Sequence, residues 1–485
     1  MLRPEEYAAI RDGIGTISID LSNDAVGAQA PKSEDIFAPE THASALDPAT
    51  PIVVGSRGTG KSFWAGVLGH DDTRTAAARA YPRLRLRNVK VGFGFTGVGG
   101  HEGIGVDAIN QIVRADPNAE EARAFWWSTI LRAASKTLQS ESPRLSQLFP
   151  TSMDWEVREE VLSRYELQLS AENKVLLVVY DALDTVATTW PRRRLLTEAL
   201  LEVVWAMRAY RTIKLKLFLR PDQIDDDALR FVELPKLRTG AVRLTWTRTD
   251  LYGLLYARLA LTRDRAANSA FKKLLSTLSI APGDQAAILS RRWTLAGDSA
   301  HQVSVMEALA GPYMASGPHG YKKGKTYDWP IRHLADAFNE VTPRSFVGLM
   351  IAAAKYGRSD PVISPEGIRH GLRAASKTRV DQLHQEFPWI KGVLAPLDGL
   401  LLPQEEGLVF KVWQRAKTVK TLIADAEANK YLPPFPAEGQ EKERDLFDAL
   451  ERIGVMFRRK DDRIDMPDLF RVAAKLLKKG GTAPL

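Results

Sequence analysis

Residues 51–64 read PIVVGSRGTGKSFW, and this stretch decides the fold. Ile52, Val53 and Val54 are a β-branched run of the kind that makes a buried strand. The run ends in Gly55-Ser56-Arg57-Gly58-Thr59-Gly60-Lys61-Ser62, which matches G-x-x-x-x-G-K-[ST] at every fixed position. Glycines let the backbone turn so tightly that successive N–H groups point inward and cradle phosphate oxygens. A helix opening near Lys61, with FWAGVLG to follow, adds its positive N-terminal end. Lys61 then reaches the β- and γ-phosphates and the Ser62 hydroxyl ligates Mg²⁺. Residues 55–63, Phe63 included, are therefore the expected cradle for ATP or ADP.

A second stretch completes that reading. In KVLLVVYDALD, residues 174–184, the apolar run Val175–Tyr180 predicts a fully buried parallel strand that ends at Asp181. An acid at the carboxyl end of such a strand lies beside the phosphate loop and holds Mg²⁺. Asp181 takes that role with Ser62; alone, it would equally suit a helix N-cap. Asp184, three residues on, is the candidate to orient or activate the attacking water. A third strand, IKLKLFL at 213–219, ends in Arg220, which either touches the γ-phosphate or makes a surface ion pair. Arg344, in Thr342-Pro343-Arg344-Ser345 at a helix start, is a second candidate to close on phosphate, beside the alternative of a solvated or ion-paired side chain.

The surrounding pattern alternates strands and helices from about 51 to 250, which calls for an α/β fold: a P-loop NTPase parallel sheet with helices on both faces. Leu84–Phe95 reads as one of its strands, and the glycine-rich tail Gly92–Gly100 as a mobile surface loop, its lone G-x-G-x-x-G being a weak dinucleotide signal. Val242–Trp246 reads as another strand. Residues 118–139 read as a helix whose tryptophans belong to the core. Five regions are expected: a lead-in at 1–50 that lies over the base or ribose or else forms a flexible arm, the core at 51–250, a helical lid at 251–357, a connecting region of short helices at 358–440 with a linker around 431–440, and a C-terminal domain at 441–485. In the last, an amphipathic helix, a hairpin around Lys460–Asp462 and a helix opened by Pro467 suggest a winged helix. Arg458, Arg459, Lys460 and Arg463 would present charge to duplex DNA. The preceding helix carries Glu441, Glu443, Asp445, Asp448 and Glu451, which argues against base reading in the major groove.

Composition narrows the classes. With 45% apolar and 26% charged residues the 485-residue chain is an ordinary globular protein of several domains. It contains no cysteine, which excludes disulfides and thiolate metal sites and fits a cytoplasmic protein. No apolar run reaches membrane-spanning length, so no membrane partner is expected. A net charge of +8 is compatible with a nucleic-acid partner but, over this length, fits an arginine-rich solvated surface better.

Together GSRGTGKS, LLVVYDALD, the Arg-terminated LFLRP, TPRS and the C-terminal helix–hairpin–helix resemble the initiator-related AAA+ and STAND ATPases over residues 35–357 and 441–480. The DALD form and Arg220 in the first sensor position lean towards the STAND side, and TPRS resembles the second sensor of archaeal-initiator-type AAA+ proteins. RIDMPDLFRVAAKLL is similar to the Met-His-Asp segment of STAND winged helices, with Pro467 standing where the nucleotide-contacting His would be. The resemblance implies a switch ATPase that rests with ADP, assembles with ATP and, lacking a Glu after Asp181, turns over slowly. No effector domain or repeat array is legible, so protein partners on separate chains are expected, with self-assembly and a trans-acting arginine, in a setting such as bacterial antiviral defence or DNA maintenance. The alternatives are a DNA-binding initiator or loader and a nucleotide-dependent scaffold without turnover. A kinase or guanine-nucleotide protein fits less well, because no Asn-Lys-x-Asp motif is present.

Overall fold

The structure is a computed structural model and describes residues 2–17, 31–99, 103–187, 189–224, 229, 231–357, 362–431, 433–434 and 442–484. Gly100, most of the linker expected at 431–440, and Glu441 lie outside the described residues. The chain divides into two compact units, Asp20–Thr245 with Leu289–Arg291, and Met1–Ile19 with Trp246–Ile288 and Arg292–Leu485.

The first of these is an α/β unit built on five parallel strands: β1 (Ile52–Val54), β2 (Val89–Phe95), β3 (Val175–Tyr180), β4 (Ile213–Leu219) and β5 (Val242–Arg243). Their order in the sheet is β2-β3-β4-β1-β5. Register levels the strand ends that matter: Val54 lies opposite Leu219, and Tyr180 opposite Leu217. Gly55, Asp181 and Arg220 therefore leave the sheet along one carboxyl edge. Both faces are covered, as a parallel sheet requires. Leu176, Val178 and Tyr180 join a core with Trp126, Leu196 and Leu200, while Leu177 and Val179, of opposite parity, are equally buried against the other layer. Each such side chain contributes about 1.5–3 kcal/mol by leaving water.

The strand expected from Leu84 begins only at Val89. Pro82 opens a 3₁₀ turn and Arg85 sits at φ 50°, both incompatible with extended pairing. The glycine-rich tail is likewise not a loop through Gly94. Gly92 and Gly94 are strand residues, and a Cβ on Gly94 would stand 2.3 Å from the Tyr180 ring. Small residues there let Tyr180 reach Thr129, whose hydroxyl is 2.8 Å away. Trp126 and Trp127 are core, as the helical spacing predicts. Val242–Trp246 pairs over Val242–Arg243 alone.

The stretch before β1 is pinned rather than loose. Lys216 on β4 is fully buried and donates to the Ala45, Asp47 and Thr50 carbonyls at 2.8, 2.9 and 2.7 Å. Tyr81 donates to the Pro39 carbonyl, and Trp64 Nε1 to His42 Nδ1 at 3.1 Å. His42 Nε2 then faces the Thr245 carbonyl at 2.9 Å, and burial pulls its pKa down to about 4, so the ring stays neutral.

The second unit is helical. Pro4–Gly15, the front of the expected lead-in, packs against Arg265–Thr277 and Pro343–Lys355, and a Cβ on Gly13 would stand 2.7 Å from the Ala267 Cβ. Residues 358–440 contain a 22-residue helix, Pro365–Glu386, where short helices alone were expected. Further on, β6 (Leu401–Leu402) pairs in parallel with β9 (Leu477–Lys478), and β7 (Phe457–Arg458) with β8 (Ile464–Asp465) as a hairpin.

Of the elements expected at 441–485, the amphipathic helix forms over Lys442–Arg452 and the hairpin as β7–β8, but the last helix does not run its expected length. The helix expected after Pro467 spans only Asp468–Arg471. Arg471, fully buried, donates to Asp468 Oδ1 at 2.6 Å and to the Leu476 and Thr482 carbonyls at 2.8 and 2.9 Å. Those bonds, with Lys475 at φ 59°, turn the chain out of the helix. Three of the four cations expected to meet DNA already hold carboxylates. Arg458 pairs with Glu406 at 2.6 Å, Arg463 with Asp461 at 2.6 Å and Arg459 with Asp465 at 3.6 Å. Lys460 alone of the set has no carboxylate partner among the described residues.

Candidate phosphate-binding site

The loop after β1 is shaped by its glycines and by its own hydrogen bonds. Gly58 and Gly60 stand at φ 88° and 101°, conformations that cost an L side chain about 1–2 kcal/mol. At Gly55 the constraint is space, since a Cβ there would lie 2.5 Å from Thr59 Oγ1. Thr59 is buried and donates to the Ser56 carbonyl at 2.8 Å, which closes the loop on itself. The helix Lys61–Gly69 starts directly after Gly60. Lys61 Nζ folds back over the loop, donating to the Gly55 and Ser56 carbonyls at 2.6 and 3.1 Å. Arg57 is half-buried in the turn, and the Phe63 ring is buried edge-on to Trp64.

Asp181 emerges from β3 opposite this loop, its N–H donating to the Phe95 carbonyl at 2.9 Å. It is buried, beside the Ser62 side chain and the Ala182 N–H. Burial pushes the Asp181 carboxyl up from the ordinary carboxylate range, against the pull of those two neighbours and the Lys61 charge, while Asp184 pushes it further up. Its Oδ2 is buried without any hydrogen-bond partner. An orphaned anionic oxygen beside a hydroxyl, facing a glycine loop, is the donor set a Mg²⁺–phosphate group needs.

Arg220 leaves β4 as a buried residue, with Nη1 3.4 Å from Asp184 Oδ2 and Nη2 3.0 Å from Asp222 Oδ2. Its backbone N–H donates to Gln223 Oε1 at 2.8 Å, which fixes the strand tip. Sequence reasoning missed Arg193 in this cluster. It lies in the first turns of the helix Trp190–Ala206, and its charge is felt by Arg220, Asp184 and Asp222. Burial pulls its pKa down, and the signal was the basic run PRRR that opens the helix. Lys216 was missed too, although a lysine inside IKLKLFL is the only charged side chain buried in that strand.

Arg344 belongs to the helical unit. It is buried in the first turn of Pro343–Lys355, where the Thr342 side chain caps by accepting from Ser345 N–H at 3.2 Å. Among the described residues no cluster of three or more His, Cys, Asp or Glu could hold a metal by itself, and no helix is long and apolar enough to cross a membrane.

No protein-family model matches the sequence, and no curated protein matches it. Among solved structures the chain is similar to the Aeropyrum pernix ORC2 protein, determined as ADPNP–ADP complexes, with 12% identity over 93% of each chain and a TM-score of 0.41. The chemistry of the site rests on its own geometry and not on that likeness.

Proposed function

We propose that this chain binds ATP and ADP at residues 55–63 and hydrolyses ATP slowly, as a switch that works with protein partners. The observation that carries the reading is Asp181 Oδ2, buried without a hydrogen-bond partner at the end of β3, with Ser62 beside it and a self-closed glycine loop at the end of β1. Ser62 and Asp181 would hold Mg²⁺, which when bound neutralises charge on the β- and γ-phosphate oxygens. Loop N–H groups bind phosphate, and Lys61 exchanges its two carbonyl acceptors for phosphate oxygens.

Asp184 orients water, and Arg220 stabilises charge developing on the γ-phosphate. The Arg220–Asp184 ion pair supports slow turnover, because the two must part before Asp184 turns to the water and Arg220 to the phosphate. Arg344 is the lid residue that closes on phosphate, and self-assembly would supply a further arginine in trans. The duplex-DNA alternative would require Arg458, Arg459 and Arg463 to release their carboxylates, which disfavours it.

Steady-state phosphate release at low salt, with and without duplex DNA, tests the reading. Lys61-dependent release indifferent to DNA supports the switch. Stimulation by DNA would support an initiator or loader, and ATP binding without release would support a scaffold.

A further inference from the structure

Away from the phosphate loop, a cleft of about 200 Å³ runs along the outer side of β2. Val91, Gly92 and Phe93 of the strand line it, with Arg132, Ala133, Lys136 and Thr137 of the helix Ala119–Gln139. The cleft exists because β2 is an edge: β3 pairs with it on one side, and among the described residues no strand pairs with it on the other. Gly92 brings the helix close, since a Cβ there would stand 2.9 Å from Thr137 Oγ1 and 3.0 Å from the Ala133 Cβ. Arg132 and Lys136, four residues apart, lie one above the other on the same side of that helix.

Positive charge continues from the cleft down the chain. Lys90 precedes Val91 and pairs with Glu172 at 2.7 Å. Before it, RLRLR at 83–87 buries Leu86 and exposes Arg83, Arg85 and Arg87, none of which has a carboxylate partner among the described residues. The carboxyl end of the same edge already accepts an extended segment of this chain. Gly97 bridges Gly105 in parallel, and Thr96 N–H donates to the Ile104 carbonyl at 3.0 Å. Val89–Phe95 has no such cover among the described residues.

We propose that this edge docks an extended, acidic segment of a partner protein, added as a strand beside β2. Its carboxylates would lie against the exposed Arg83, Arg85 and Arg87. Strand addition satisfies main-chain groups that an edge leaves open, and the cationic flank selects acidic side chains and repels basic ones. A nucleic-acid strand would meet the arginines but leave the N–H and C=O groups of β2 unpaired, so the peptide is the better match. The inference is independent of nucleotide binding.

The test is hydrogen–deuterium exchange of the full chain with a synthetic decapeptide of alternating Glu and Val. A Lys/Val counterpart and a short single-stranded DNA serve as comparisons. The Glu/Val peptide is expected to slow exchange across 89–95 several-fold and to bind more weakly as salt rises. The double substitution Arg83→Glu/Arg85→Glu, checked for fold by circular dichroism, is expected to weaken binding at least ~10-fold. Because exchange and salt dependence are read on the unaltered chain, the proposal does not depend on that variant folding. Unchanged exchange at 89–95, protection by DNA but not by the peptide, or full affinity in a folded double variant would each overturn it.

Discussion

The Ser62 side chain stands beside the Asp181 carboxylate and favours its charged form, linking the helix after β1 to the end of β3, while Asp181 Oδ2 stays buried and unsatisfied. That arrangement is destabilising without a cation, which gives the first prediction. Asp181 has a folded pKa above its unfolded one, so between the two values the folded state holds more protons, and stability falls as pH rises through that window. Asp181→Asn removes the buried charge. Without nucleotide or Mg²⁺ at neutral pH it should raise stability by about 1–2 kcal/mol, while lowering phosphate release at least ~100-fold. Thermal unfolding beside phosphate release checks both, and a lower melting temperature would contradict the account of the site.

Gly55 and Gly60 should fail differently. Gly55→Ala drives a methyl into Thr59 Oγ1 and opens the loop closure, so nucleotide affinity should fall at least ~10-fold. A Cβ on Gly60 meets nothing within 4 Å, so Gly60→Ala carries only the left-handed backbone cost of about 1–2 kcal/mol. Titration with a fluorescent ATP analogue and a denaturant melt separate the two.

Lys216 carries a pH signature. Burial pulls its pKa down to about 7, far below that of an exposed lysine. Between about pH 7 and the unfolded value the unfolded chain holds more protons, so this group makes stability rise with pH and leaves it flat below. Lys216→Met should flatten that slope and release the Ala45, Asp47 and Thr50 carbonyls, at a cost of about 1–3 kcal/mol. Urea melts from pH 6.5 to 10, with exchange at residues 45–50, read this out.

Arg220→Ala removes the partner of Asp184 and Asp222 at the tip of β4. Turnover should drop ~10–100-fold with ATP affinity nearly kept, as expected for a group that acts on charge developing in the transition state. Comparing kcat with the binding constant checks it. Loss of ATP affinity in step with turnover would make Arg220 a ground-state binding residue instead.

Where local chemistry dictated structure, the sequence was legible. The apolar run Val175–Tyr180 gave β3 to the residue, because a fully buried parallel strand needs an unbroken apolar stretch, and IKLKLFL gave β4 despite its two lysines. G-x-x-x-x-G-K-S located the loop because few residue types tolerate its backbone. What stayed hidden depended on distant partners. Gly94 reads as loop until Tyr180 is seen to need its space. The segment after Pro467 has helical spacing, yet Arg471 binds carbonyls at 476 and 482 and ends the helix after one turn. Arg193 reaches the charge cluster through packing of a helix no motif marks.

The most direct test of the central claim is calorimetric titration of ATP with Mg²⁺ into the unaltered chain, Lys61→Ala and Asp181→Asn. The account predicts micromolar binding to the unaltered chain, at least ~10-fold weaker binding to Lys61→Ala, and loss of the Mg²⁺ dependence in Asp181→Asn. Equal affinity in all three, or no binding to the unaltered chain, would contradict it.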